Sequence, residues 1–314
     1  ILKHNIMKAI ILFSTIFSLF AATTTLHSQT SEEYFDMGHK EYLAGNHEKA
    51  VEYYTASIKI NPEGATAYYN RGIAYAVGLK NYKAAVQDFT KAIEINPTFA
   101  EPYCNRGLAY DVLKEYSMAI SDYTKAIEIN PNLVQAYNGR GSAYYNIQKY
   151  TESITDFNKA IQINPDFVLA YIGRGTTYAK TKKYSMALGD FTKVIELDPN
   201  RYSAYMHRGR VYHYGFKEYQ KAISDYSKAI EIYTDYFEAF YFRAAAKTAI
   251  EDIDGAVKDY TRAIEIDPDS RISYFYRGNC YLYLGENAKA CADWKKAKSL
   301  GEEDADELID KYCK

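Results

Sequence analysis

Neither sign of charge is in excess in this chain: 38 Lys and Arg stand against 40 Asp and Glu over 314 residues. The basic excess that holds nucleic-acid phosphates is lacking, so no nucleic-acid partner is expected. The motifs of common chemistries are lacking too. There is no phosphate-binding P-loop, dinucleotide fingerprint, HExxH or nucleophile elbow. The six histidines are scattered, and His207 and His213, six apart, are poorly spaced to share a metal on one helix face. Paired carboxylates such as Glu302 and Glu303 read as solvated. No catalytic residue, metal or other cofactor is expected, and the chain is not read as an enzyme.

Long apolar runs are missing except at the start. Lys3, His4 and Lys8 precede AIILFSTIFSLFAA (Ala9 to Ala22), followed by the polar TTTLHSQT. That order matches a secretory signal peptide, and Met7-Lys8 reads as a natural start. Fourteen apolar residues fall short of the roughly 20 that a membrane-spanning helix needs. Residues 1–28 are therefore expected to be a signal peptide cut near Ser28-Gln29, which implies an exported, periplasmic or envelope protein. The alternative is an uncleaved segment anchoring the chain to the inner membrane. A lipid anchor is not expected, because no cysteine lies there.

What is present is periodicity. Prolines stand at Pro62, Pro97, Pro131, Pro165, Pro199 and Pro268, at spacings of 35, 34, 34, 34 and 69. The double gap spans two repeats whose middle marker has become Tyr233-Thr234. Periods of 20–50 residues signal a repeat architecture. Between prolines, two apolar runs of helical period flank a short turn such as KEYS or QKYT, so each unit is a helix–turn–helix hairpin. The third unit carries Tyr103, Gly107, Tyr110, Ala119, Tyr123, Ala126 and Pro131; the fourth carries Tyr137, Gly141, Tyr144, Phe157, Ala160 and Pro165.

On these residues the chain resembles the tetratricopeptide repeat (TPR) family. The resemblance implies an all-α, right-handed α-solenoid over 31–301, with eight units beginning at residues 31, 65, 100, 134, 168, 202, 237 and 271. The second and sixth units carry one extra residue, in AVGLKNY and HYGFKEY, which is placed at the inter-helix turn. Residues 302–314 read as a capping helix with Leu308, Ile309 and Tyr312 facing inward. The 34 tyrosines fall mostly on framework places and are read as core.

Where the family usually has leucine, the seventh place here holds Arg71, Arg106, Arg140, Arg174, Arg208, Arg243 and Arg277. The twenty-third place, on the second helix, holds Asp88, Asp122, Asp156, Asp190, Asp225, Asp259 and Asp293. Repeat one has Met37 and Tyr53 instead, so both charges are present together or absent together. The two places lie opposite each other across a hairpin, which predicts seven intra-repeat pairs, bidentate where geometry allows. These arginines are read as holding the fold rather than as an anion ladder.

In proteins similar to this one, the first helices line a groove that binds an extended peptide or a partner helix through the second, fifth, ninth and twelfth places. Those places imply candidate contacts at Tyr69, Tyr145, Met206, Arg210, His213, Tyr241 and Phe275, with His207, Phe242 and Tyr276 beside them. No lysine stands at a fifth place, so the clamp that chaperone-binding relatives use for a terminal carboxylate is not carried over. Repeat seven departs most, with Ala244 for glycine, Lys247 for tyrosine and Ile253 for the turn tyrosine. The aromatic run around it, YTDYFEAFYF, marks the expected binding patch; plain repacking of a divergent repeat is the alternative.

Four cysteines remain. Cys291 and Cys313 are nearly symmetric about Gly301-Glu302, and Cys280 is also opposite Cys291 across its own repeat's turn. The favoured bridge is Cys291–Cys313, which would pin the terminal helix, and Cys104 is expected to be free. The functional expectation is a non-enzymatic scaffold in the bacterial envelope that binds a protein or peptide. A structural spacer or self-assembling element is the alternative.

Overall fold

The computed structural model describes residues 29–313, and the expected signal segment lies outside them. The chain divides into two compact units, residues 1–115 and 116–314. Among the described residues every regular element is helical. The first unit holds α1 (Ser31–Leu43), α2 (His47–Ile60), α3 (Ala65–Ile73), α4 (Tyr82–Ile95) and α5 (Ala100–Val112). The second holds α6 (Tyr116–Ile129), α7 (Val134–Asn146), α8 (Tyr150–Ile163), α9 (Val168–Lys180), α10 (Tyr184–Leu197) and α11 (Tyr202–Arg210). It continues with α12 (Tyr219–Ile232), α13 (Phe237–Ala249), α14 (Ile253–Ile266), α15 (Arg271–Tyr283), α16 (Asn287–Ser299) and α17 (Ala305–Tyr312). Within each unit, successive helices pack antiparallel in tandem hairpins. The all-α class expected from the repeats is the class observed.

Small residues let the hairpins close. In the second unit Ala119, Ala126, Ala136, Ala143, Ala160 and Ala170 are fully buried, and so is the aromatic of each second helix, such as Phe157, Phe191 or Tyr226. One hairpin cannot cover both of its faces, so each depends on the next. At the C-terminal end, Leu308, Ile309 and Tyr312 of α17 pack against Trp294 and Ala297. A disulfide joins Cys291 to Cys313 there, while Cys104 and Cys280 are free and buried. At the other end Thr30 caps α1 in a reciprocal capping box with Glu33.

The seventh-place arginine is the repeated polar element. In six repeats its Nε and Nη2 both donate to the carboxylate of the same repeat, as from Arg71 to Asp88 and from Arg140 to Asp156. Arg174–Asp190, Arg208–Asp225, Arg243–Asp259 and Arg277–Asp293 repeat this fork. The third nitrogen, Nη1, reaches back to the preceding repeat. It donates to Thr55 from Arg71, to Thr90 from Arg106 and to Thr124 from Arg140. Asn158, Thr192, Ser227 and Thr261 accept from the later four arginines. Each guanidinium also lies 5.5–5.8 Å from the ring three residues before it, such as Tyr137 under Arg140. Repeat seven adds a second cation, since Lys247 also pairs with Asp259 at 2.8 Å.

The six aspartates of these forks are only 4–6% exposed, so each carboxylate depends on its arginine. Removing one partner of a buried pair costs about 3–5 kcal/mol, mostly from the charge left behind. Arg140→Leu is therefore expected to lower the stability measured by urea unfolding by that amount. Arg140→Leu combined with Asp156→Leu should lose less than the single change. Additive losses in this double-mutant cycle would contradict the pairing account.

Candidate functional site

The two 35-residue repeats differ from the rest in one feature. Every inter-helix turn has one residue in the left-handed region, at Gly45, Lys80, Lys114, Gln148, Lys182, Lys217, Glu251 and Gly285. In 34-residue repeats the next backbone N–H reaches the carbonyl five residues back, as from Lys149 to Tyr144 and from Lys183 to Tyr178. In the longer repeats the same closure spans six residues, from Asn81 to Tyr75 and from Glu218 to Tyr212. The extra residue therefore sits not in the turn, where the sequence reading placed it, but in the last turn of the first helix. There the backbone widens to a π-helix over Ala74–Gly78 and over Val211–Phe216. The turn geometry is held constant, so the surplus can be absorbed only upstream. Single π-turns of this kind are frequent at functional sites.

Each π-turn pushes backbone against the preceding repeat, and glycine makes that approach possible. A Cβ on Gly215 would lie 2.7 Å from the ring of Tyr184, and one on Gly78 would overlap His47. Tyr184 and His47 are equivalent, each the first residue of the preceding repeat's second helix.

A cleft opens beside each π-turn. The cleft in the second unit has a volume of about 360 Å³. Its walls are Tyr145 of α7, Thr176 and Lys180 of α9, Tyr184 and Phe191 of α10, and His207 and Arg210 of α11, closed by Val211 and Tyr214 of the π-turn. The first unit's cleft has a similar volume but is lined mainly by Ile73, Val77, Phe89, Leu108 and Val112. Val77, Leu108 and Val112 are 64%, 52% and 47% exposed, so this cleft presents apolar surface to solvent.

Electrostatics distinguish the second unit's cleft. His207 stacks on Phe191 at 5.2 Å, and burial, assisted by Arg210, lowers its pKa to about 4. It is neutral at pH 7. Arg210 is exposed, with its guanidinium 5.2 Å from the Phe242 ring. Among the described residues neither Arg210 nor Lys180 is paired with a carboxylate, and no carboxylate lines the cleft. Stacking, hydroxyl hydrogen bonding and positive charge are the chemistry available. Among the described residues no three His, Cys, Asp or Glu side chains are grouped to hold a metal, and no helix is long and apolar enough to cross a membrane.

Of the residues expected to bind, the structure brings Tyr145, His207 and Arg210 together in this cleft, with Phe242 under the arginine. The others lie elsewhere. Met206 is not in the groove: it is 3% exposed and packs on Ala222, Tyr226 and Ala239. The physical reason is general, since the fifth place lies on the seam with the following repeat. Tyr69 likewise meets Phe99 and accepts a hydrogen bond from Asn105, and Tyr241 meets Tyr276. His213 is also misplaced by the sequence reading. It is 9% exposed, stacked on Tyr214 and edge-on to Tyr219, with burial lowering its pKa. The wider π-turn rotates it inward and leaves Tyr214 at the cleft. Phe275 packs into the cluster under the terminal helix, and Tyr276 shows an exposed ring outside the cleft. Thr176 stands at a ninth place, which the sequence reading put on the groove, and it does line the cleft. Lys180, Tyr184, Phe191 and Tyr214 were missed; the only signal for them was the 35-residue length of repeat six.

Family models described as "Tetratricopeptide repeat" match residues 100–133, 168–201, 202–236 and 237–270, and one described as "TPR repeat" matches 38–78, 79–111 and 141–182. No curated protein matches the chain. Among solved structures it is similar to YrrB, described as a TPR protein with an unusual peptide-binding site, at 26% identity and a TM-score of 0.50. That match covers 60% of this chain and 96% of YrrB. A tetratricopeptide repeat protein from Parabacteroides merdae matches at 19% identity and a TM-score of 0.58, covering 79% of this chain and 96% of its own. The C-terminal part of a TPR repeat-containing protein from Cytophaga hutchinsonii matches at 23% and 0.58, covering 76% and 97%. The last two likenesses show the fold alone.

The lowered pKa of His207 predicts a pH dependence. The unfolded chain takes up its proton near the ordinary 6.5, while the folded chain does so only near 4. Stability should therefore fall as pH drops through 6.5, by on the order of 3 kcal/mol once His207 is fully protonated. His213 adds a loss of the same sign. Urea unfolding between pH 7 and 5 should show this slope, and His207→Gln should flatten it. An unchanged slope in that variant would contradict the assignment.

Proposed function

We propose that this chain, which belongs to the tetratricopeptide repeat family, is a protein–protein interaction scaffold that binds an extended peptide or partner helix through the second unit's cleft. Members of this family generally act as non-enzymatic scaffolds that bind protein or peptide partners. The single observation that carries the finer reading is the aromatic cleft beside the Val211–Phe216 π-turn. Tyr145, Tyr184 and Tyr214 supply broad, rigid contact surface with hydroxyls at the rim, a composition suited to peptide recognition. The description of YrrB as peptide-binding supports the same direction. The work site is the bacterial envelope, supported by the charged start and apolar run of residues 3–22.

Random peptides displayed on phage and selected on the full chain test the reading. Selected peptides should lose at least about tenfold in affinity on Tyr184→Ala/Tyr214→Ala, with the variant still folded and helical by circular dichroism. Selection of no peptide, together with a sedimentation coefficient that climbs with concentration, would replace it with the spacer or self-assembling reading. An N-terminus still starting at Met7 on protein from the cytosolic fraction would remove the envelope part.

A further inference from the structure

We propose that the second unit's cleft selects acidic peptide segments, with side-chain carboxylates of an internal stretch held by Arg210 and Lys180. The inference rests on the peptide-scaffold reading and names the class of its ligand. Its basis is charge complementarity. The chain as a whole is slightly acidic, with a net charge of −2. Some exposed lysines are paired with glutamates three residues on, as in Lys91–Glu94, Lys193–Glu196 and Lys228–Glu231. Arg210 and Lys180 are exposed and line the same cleft, and among the described residues neither has a carboxylate partner.

The cleft is also prepared for such a ligand. Arg210 is held over Phe242, and so loses less side-chain freedom on binding than a free arginine would. His207, with its imidazole neutral beside it, can stack but not repel cations. The hydroxyls of Thr176, Tyr184 and Tyr214 can donate to carboxylate oxygens, and Phe191 offers an apolar floor. Half-enclosure strengthens each charge contact relative to open water. The ligand so described is a short run of Asp or Glu interleaved with apolar or aromatic residues. An internal segment is favoured over a chain terminus because the two cations stand on different helices, α9 and α11, and each can take its own side-chain carboxylate.

The first unit supplies an internal control. Its cleft has a similar volume and lies between its π-turn repeat and the following one rather than the preceding one; Ile73, Val77, Leu108 and Val112 replace the polar walls there, and Lys80 is its one cation. Selection by charge is therefore a property of the second cleft and not of π-turns in general.

Rhodamine-labelled, C-terminally amidated peptides alternating tyrosine with aspartate, asparagine or lysine test this on the full chain by fluorescence anisotropy. The aspartate probe should bind about tenfold tighter than the asparagine probe, the lysine probe more weakly than either, and the preference should shrink in high salt. Arg210→Gln/Lys180→Gln should erase the preference without changing the unfolding transition, since both side chains are exposed. Equal binding of all three probes, lost on Tyr184→Ala/Tyr214→Ala, would overturn acidic selection while leaving the peptide-scaffold reading in place. Binding of none would overturn both. A free C-terminal carboxylate that strengthens binding regardless of aspartate would overturn the assignment to an internal segment.

Discussion

One guanidinium in each of six repeats, bonded in three directions, is what the rest of this structure depends on. Arg140 holds Asp156 of its own repeat through two nitrogens at 2.7 and 2.8 Å and Thr124 of the preceding repeat through the third at 3.0 Å. Its flat face lies over Tyr137. Lysine could not do this, because its single ammonium lacks a planar fork. A solenoid unit has no independent core, so whatever fixes the hairpin angle and the step to its neighbour fixes the whole run. The arginine does both at once. Repeat one lacks the arginine; there Ser31 and Ser57 exchange hydrogen bonds between the two helices.

A frame held this tightly leaves little room for variation, and the variation that exists is at the clefts. The left-handed turn residue and its closing hydrogen bond recur in every hairpin, so an inserted residue has no place there. It is taken up as a π-turn whose glycine lies against the preceding repeat, and a cleft on the first helices lies beside each π-turn. The same backbone device then carries different side chains in the two units, apolar in one and cationic-aromatic in the other. Binding character is thus set by a handful of residues grafted on an unvarying backbone.

Much of this was legible in the chain itself. Eight copies of one unit act as an internal alignment, so the joint absence of charge from Met37 and Tyr53 pointed to Arg and Asp as partners. The hydroxyl or amide two places after six of the seven aspartates, from Thr90 through Asn158 to Thr261, was equally visible and was overlooked because it binds the next repeat rather than its own. The cleft was harder to read. Nothing in helix propensity marks a π-turn, so the surplus residue at HYGFKEY was assigned to the turn, and the buried His213 was placed in the groove. Met206 misled for a related reason: an apolar residue at a fifth place serves the seam between repeats as readily as a groove.

The claim that matters most is that each arginine couples its own repeat to the one before it. Hydrogen exchange followed by mass spectrometry on Arg208→Leu tests it most directly. Arg208 donates to Asp225 in α12 and to Thr192 in α10, on either side of the cleft. The account predicts lost amide protection in both helices, together with the intervening α11. Loss confined to α11 and α12, with α10 as protected as before, would contradict it.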